Sequence, residues 1–348
     1  MKFHILRLLS VLFFISICSG LLWHYINHRY ATHKSPRKVT QCPAQRNGNP
    51  TIDKLLENYN PKWKKQQKNI NSFRSSLGKR CNGISNALVT QDNSPVGTNI
   101  SFDASKKKLL VTPALFNVLP KESPFKKAPW KTCAVVGNGG ILANSSCGKQ
   151  IDSASFVIRC NLPPLSNGHE KDTGKKTSLV TANPSILFQK YHGLNKQIKQ
   201  ESFVEAMHLY GNALIMLPAF SFGRNTGVSM RALNSLQNHG TDVPQAVFFN
   251  PKYLRSLAGF WRGQGIRSAR LSSGLMMVSL ALELCNNVHL YGFWPFSIHP
   301  YTYQNLTNHY YDNKQVNKRM HAMPAEFKTL LNLHEQGVAY LHLGECTS

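Results

Sequence analysis

From Lys131 onward the chain alternates short apolar runs with longer amphipathic ones, and few architectures accommodate that rhythm. The runs CAVV (133–136), FVIR (156–159), ALIML (213–217), VFF (247–249), VHLYG (288–292) and VAYLHL (338–343) read as strands. Between them ESFVEAMHLY (201–210), GVSMRALNSLQ (227–237), PKYLRSLAGFWRGQ (251–264), SSGLMMVSLALELC (272–285) and PAEFKTLLNLHEQG (324–337) carry apolar residues at helical spacing, several opening on Ser or Pro. Strands that alternate with helices pair in parallel, because each crossover returns the chain to the same edge of the sheet. The expected fold is therefore α/β, a Rossmann-like α/β/α sandwich around a largely parallel sheet.

The first 130 residues have a different texture. They hold 21 Lys and Arg against 5 Asp and Glu, the larger part of a formal charge of +25 over 348 residues. Such an excess points to an anionic partner, whether nucleic acid, acidic membrane or acidic substrate. From Leu8 to Trp23 there is no charge, about 16 residues or about 24 Å of helix, which suits a thin early-secretory bilayer. A signal peptide cut near Cys18-Ser19-Gly20 is the rival, but the apolar run continues through Leu21, Leu22 and Trp23, favouring an uncleaved anchor. Arg29, Lys34, Arg37 and Lys38 outnumber Lys2 and Arg7, so flanking charge alone would point the body the wrong way. The sequons at Asn99, Asn144 and Asn305 and the seven cysteines that follow the apolar run, none with CxxC spacing, argue instead for an oxidising lumen. The expected organisation is a cytosolic tail (1–7), a signal-anchor helix (8–26), a polar basic stem (27–80) with a weak helical pattern near Ile52–Tyr59, and a lumenal catalytic domain (81–348).

Several places suit binding of a small anion. Gly137-Asn138-Gly139-Gly140 follows the first strand, where glycines allow close backbone approach and α/β sheets bind nucleotides. A tight turn alone would also want those glycines. Asn161 ends the second strand. Ser272 or Ser273 is a natural N-cap with Gly274 in a bare first turn, and a helix start with free N–H groups and hydroxyls attracts anions. Trp294 would stack on a base or sit in the core. There is no Asp-x-Asp or Asp-x-Glu pair of the kind that clamps a nucleoside diphosphate through a metal, and no HExxH or CxxC. A single phosphate needs only a helix start, histidine and lysine. In the acid-poor stretch 308–327, His309 suits donation to a leaving phosphate and His321 suits proton removal from an attacking hydroxyl. Glu326 would either orient that imidazole or cap the following helix.

These segments also carry a resemblance. CAVVGNGGILANSSCGKQIDSASFVIRCNLPPL resembles the long sialylmotif of animal sialyltransferases, and RLSSGLMMVSLALELCNNVHLYGFWPF the short one. HYYD resembles the third motif, and HAMPAE the very short His-x4-Glu motif, all in the family's order. The spellings CNLPP, GFWPFS and HAMP are similar to the α-2,8 class. SPVGTNIS (94–101) and LPAFSF (217–222) are similar to its mono- and oligosialylating branch, which includes O-glycan-preferring members. Asn308 departs from the pattern, since close relatives often carry histidine there.

The resemblance implies a glycosyltransferase-A-like variant of the fold and an inverting, metal-independent transfer of sialic acid from CMP-sialic acid to a terminal sialic acid on an O-glycan or glycolipid. No cofactor is implied. Asn138, Asn161, Ser272, Ser273, Gly274 and Trp294 would line the CMP pocket, His309 would meet the donor phosphate, and His321 would be the general base. The implied disulfides are Cys133–Cys285 and Cys147–Cys346, leaving Cys160 free and Cys42 and Cys81 unassigned. The implied location is the Golgi membrane, type II, with the catalytic domain in the lumen; a homodimer is compatible with this, and nucleic acid is not a partner. The alternatives are a non-catalytic sialoglycan-binding protein and a polysialyltransferase. Arg255, Arg262, Arg267 and Arg270, spaced through an otherwise apolar segment, are a sparse version of the basic stretch a polymerising enzyme needs.

Overall fold

A computed structural model describes residues 50–57, 59–103, 105–239, 242–314 and 322–346. The expected anchor at 8–26, Cys42 and His321 lie outside the described residues. No described helix is long and apolar enough to cross a membrane.

The alternation seen in the sequence becomes a seven-stranded sheet, parallel throughout. Its strands are β3 (Trp130–Val136), β4 (Phe156–Arg159), β5 (Leu179–Thr181), β6 (Leu214–Leu217), β7 (Gln245–Phe248), β8 (Cys285–Tyr291) and β9 (Tyr340–Leu341), in the order β7-β6-β5-β4-β3-β8-β9. A separate hairpin pairs β1 (Asn99–Ser101) with β2 (Lys108–Leu110). β5, absent from the sequence reading, is three residues long and buried on both faces. So short a run carries no period for a sequence to reveal.

Among the described residues six helices exceed eight residues: α1 (Gln67–Arg80), α2 (Gln197–Met207), α3 (Gly223–Gln237), α4 (Pro251–Gly263), α5 (Ser273–Leu284) and α6 (Met323–Glu335). Because side chains alternate along a strand, Cys133 and Val135 join one apolar cluster while Ala134 and Val136 join another. The first cluster receives α1, α4, α5 and α6. On the opposite side of the sheet, Val180, Ile215 and Leu217 pack with Phe203, Val204 and Met207 of α2 and Val228, Ala232, Leu233 and Leu236 of α3. Two helical layers thus enclose one sheet. α5 is buried from Leu275 through Leu284, which is why its sequence is apolar nearly all round.

The compact unit extends from Asn49, so part of the region grouped by composition with the stem packs on the sheet and its helices. In α1, Ile70 and Leu77 are buried and Phe73 meets Phe260 and Trp261. Three apolar residues at helical spacing suffice, and the polar remainder hides them from a compositional reading. Arg74 of α1 donates from Nε to the Leu282 carbonyl (3.0 Å) and from Nη1 to Asn286 Oδ1 (3.2 Å), and its Nη2 reaches the Cys285 carbonyl. A guanidinium therefore satisfies carbonyls at the end of α5, where the helix dipole also favours a cation.

Among the described residues there are two disulfides, Cys133–Cys285 between the adjacent strands β3 and β8 and Cys147–Cys346 between the segment after β3 and the C-terminal segment. Cys81 and Cys160 are buried thiols among the described residues. Burial pushes both up to about 12, Glu283 adding to the shift at Cys81 and Arg80 opposing it.

Candidate active site

The chain leaves β3 in one direction through β4, β5, β6 and β7, then returns to lay β8 on the other side of β3. Loops leaving neighbouring strands in opposite directions open a crevice at the carboxyl ends of β3 and β8, the usual ligand position in an open parallel sheet. The glycine turn after β3 and the turn after β8 meet there. Gly139 N–H donates to the Gly292 carbonyl (2.9 Å), and Gly292 has φ 71°. A Cβ on Gly139 would lie 2.6 Å from the Gly292 oxygen, and one on Gly140 would lie 2.1 Å from the Thr307 oxygen. The glycines of this turn are accounted for by the crossing of the protein's own backbone.

From the turn, a chain of side-chain amides crosses the ends of three strands. Asn138 donates to the Cys160 carbonyl (2.7 Å), while its buried Oδ1 has no partner among the described residues. Asn161, with φ 62°, takes its N–H to Thr181 Oγ1 (2.9 Å) and accepts the Asn183 N–H on Oδ1 (3.0 Å). Asn183 Nδ2 then reaches Ser273 Oγ (3.5 Å) at the start of α5. Asn161 and Ser273 are thereby linked through Asn183, which the sequence reading did not single out, and Asn138 is tied to the Cys160 carbonyl, one residue before Asn161. Its signal was a third asparagine just past a strand end, invisible once β5 was missed.

Ser272 is the N-cap of α5, its Oγ accepting the Leu275 N–H (3.1 Å). The same hydroxyl donates to Glu326 Oε2, and the Ser272 N–H donates to Glu326 Oε1 (2.9 Å). With its single hydroxyl proton committed and only 9% of its surface exposed, Ser272 fixes the helix start. The Ser273 and Gly274 N–H groups of the first turn have no protein acceptor among the described residues. They and the Ser273 hydroxyl are what this helix start can offer an anion. A Cβ on Gly274 would sit 2.9 Å from the Phe293 ring, so any larger residue there would need that ring to shift. Trp294 takes the core alternative: 4% exposed, it donates Nε1–H to the Ile298 carbonyl (2.8 Å) and packs edge-to-face against Phe296 and Phe327.

His309 reaches the crevice by backbone pairing. It bridges Gly139, and the next residue, Tyr310, donates its N–H to the Asn138 carbonyl (3.0 Å). Its imidazole stacks on Tyr311 and holds Asp312 Oδ1 at 2.7 Å through Nδ1. Nδ1 is engaged by a carboxylate, while Nε2 has only a long contact to Asn308 Nδ2 (3.4 Å), one that a substrate oxygen could replace. Burial alone would raise Asp312, but hydrogen bonds from His309 and the Lys314 backbone, with their charges, hold it below the usual carboxylate range. Burial, assisted by Asp312, pushes the Tyr311 hydroxyl up to about 12, so it remains neutral. Glu326, for which two roles stood open, is a Ser272 partner. The Glu-x-Asp spacing at Glu170 and Asp172 is engaged in backbone bonding, Asp172 accepting the Asn144 and Ser146 N–H groups (2.7 and 2.8 Å). The crevice offers amides, two helix N–H groups, a hydroxyl and an imidazole, groups able to hold an anion.

Comparison with known proteins gives the family. Residues 81–338 match glycosyltransferase family 29 (sialyltransferase), and the chain belongs to that family of glycosyltransferases. It is 45% identical to human alpha-2,8-sialyltransferase 8F over 287 residues, covering 82% of this chain and 71% of the relative. Rat alpha-2,8-sialyltransferase 8E is 43% identical over 286 residues, covering 82% and 75%. The alpha-N-acetylneuraminide alpha-2,8-sialyltransferase of Xenopus tropicalis is 43% identical over 289 residues, covering 83% and 82%. A crystal structure of a mammalian sialyltransferase in complex with Gal-beta-1-3GalNAc-ortho-nitrophenol aligns with a TM-score of 0.45 at 18% identity, covering 86% of this chain and 88% of that one.

Proposed function

We propose that this chain is an α-2,8-sialyltransferase that moves sialic acid from CMP-sialic acid to the terminal sialic acid of a glycoprotein O-glycan or a glycolipid, with inversion and without a metal. The observation that carries this reading is the assembly, at one crevice, of the Asn138–Asn161–Asn183 amides, the open N–H groups of Ser273 and Gly274, and the His309–Asp312 pair. The nucleotide's phosphate meets the start of α5 and His309 Nε2, and Asn138 Oδ1 is available to a nucleotide N–H or hydroxyl. As the anomeric carbon–phosphate oxygen bond breaks, positive charge spreads over the sugar ring oxygen and carbon, and CMP departs as a phosphate monoester. His309 stabilises the departing oxygen. His321 removes the proton from the acceptor hydroxyl, whose oxygen forms the new bond from the opposite face. We infer a Golgi membrane location with type II topology, on the strength of the N-terminal apolar run and the sequons. Asn99, Asn144 and Asn305 are exposed on the described surface and suit lumenal glycosylation.

The test is transfer by the purified lumenal part, with CMP-sialic acid as donor and a sialylated mucin or a ganglioside as acceptor. An α-2,8-linked product and released CMP, unaffected by chelator, are expected. His321→Ala should abolish transfer yet leave CMP affinity unchanged, whereas His309→Ala should weaken use of the donor. CMP binding without any transfer product, or an absolute requirement for a divalent ion, would overturn the assignment.

A further inference from the structure

Outside the donor crevice, the same edge of the sheet carries a cationic feature that the chemistry above does not use. Phe222 follows β6 and immediately precedes α3. Two guanidinium groups flank its ring, Arg224 with Cζ 5.8 Å from the centroid and Arg270 with Cζ 5.9 Å. Such stacking orients a guanidinium while leaving its N–H edge open for a planar anion. Asp103, held nearby through its N–H bond to the Phe220 carbonyl (3.0 Å), interacts with Arg270. Arg224 is exposed and makes no ion pair among the described residues. One positive charge is thus partnered and the other faces solvent.

The position gives this pair its meaning. Arg270 lies two residues before Ser272, the cap of α5. Ser273 is in turn linked to Asn183 at the end of β5, and β6 is the next strand outward from β5. Adjacent strands lie about 5 Å apart, so the arginines flank the donor crevice about one strand further toward β7. Phe222, the N-cap of α3, has no side-chain group to cap the helix, so the first turn adds N–H donors beside Arg224. Just inside it, Asn225 is fully buried, gives Nδ2–H to Ser221 Oγ (2.7 Å) and leaves Oδ1 without a partner among the described residues. This polar cluster holds the turn that carries Arg224.

We propose that Arg224, stacked on Phe222 beside Arg270, binds the carboxylate of the acceptor sugar and makes a terminal sialic acid, rather than a neutral sugar, the substrate to be extended. The proposal rests on the transferase reading and deepens it by assigning acceptor selection to a residue outside the donor pocket. A neutral terminus would leave the guanidinium without its anion.

The experiment compares a soluble sialoside acceptor with its C1 methyl ester, which keeps every hydroxyl and loses only the charge. The wild-type enzyme should favour the free acid in kcat/KM. In Arg224→Ala that preference should fall by about tenfold or more, through acceptor KM, because a charge-assisted hydrogen bond is lost. CMP affinity and the thermal midpoint should stay at wild-type values. Arg224→Lys should recover part of the preference, since it restores charge without the planar fork. An unchanged acid-to-ester ratio in Arg224→Ala, or a wild-type enzyme that does not distinguish the two acceptors, would overturn the subsite and leave the transferase reading standing. Failure of the wild type to extend either acceptor would overturn the transferase reading itself.

Discussion

Glu326 joins two helices distant in sequence, and removing it tests whether the anion-binding helix start is built from outside its own helix. Its carboxylate receives both the N–H and the hydroxyl of Ser272, and it is 3% exposed. Hydrogen bonds to a buried charged group contribute roughly 1.5–3 kcal/mol each, and an unpaired buried N–H adds its own cost, so Glu326→Ala should lose about 3–5 kcal/mol. In a domain of this size, where one kcal/mol moves Tm by about 2–4 °C, the expected fall is on the order of 10 °C. Glu326→Gln can still accept the Ser272 N–H and should lose only about a third of that. Function should follow the same order. With Ser272 released, the Ser273 and Gly274 N–H groups lose their fixed direction, and CMP affinity should fall about tenfold in the alanine variant, or about 1.4 kcal/mol. Thermal melting with and without CMP, together with calorimetric titration of CMP, reads both effects. An alanine variant that melts and binds CMP as the wild type does would show that α5 positions its first turn unaided, refuting the argument.

Two further predictions concern charge. Burial raises the Glu283 carboxyl to about 7, against the opposing bonds from Gly83 N–H and the Tyr253 hydroxyl. A carboxyl whose pKa is raised in the fold contributes its full stability below its ordinary value and loses it as pH climbs through about 7. Glu283→Gln should therefore match the wild type below the ordinary carboxyl value of 4.5 and gain on it as pH rises to about 7, exceeding it by roughly 2–3 kcal/mol in mild alkali, a gap read from Tm against pH; a constant gap across that range would contradict it. Asp312→Asn removes the counter-charge of His309 and allows the amide to turn its NH2 toward Nδ1. Donor kcat/KM should fall about tenfold while the fold survives. Because Asp312 is held below the ordinary carboxylate range, that deficit should persist from neutral into mildly acidic solution, and a pH–rate profile checks it.

The strand–helix alternation carried most of the architecture, because burial on both faces of a parallel sheet leaves apolar runs such as CAVV and VHLY plain to see. β5 escaped because three residues carry no period, and with it went Asn183, whose importance depends on standing at a strand end beside Asn161. The motif spellings led to Asn138, Asn161, Ser273 and His309, and the fold brings them to one edge. What spacing cannot express is the direction of a side chain. Ser272 and Ser273 are adjacent, yet one hydroxyl is committed to Glu326 and the other meets Asn183. Trp294 is as aromatic as a stacking platform should be, yet Phe296 and Phe327 enclose it. Asp312 lies three residues past His309, but only the turn between them brings carboxylate and imidazole to 2.7 Å.

The Arg74 contacts bear on how a secreted form of this enzyme should be cut. The family match begins at Cys81, and a truncation placed there would discard the guanidinium that closes the far end of α5. The exposed carbonyls would fray the helix whose opposite end presents Ser273 and Gly274. A cleavage site engineered upstream of residue 49 keeps that fastening, and with it the rigidity on which nucleotide capture depends.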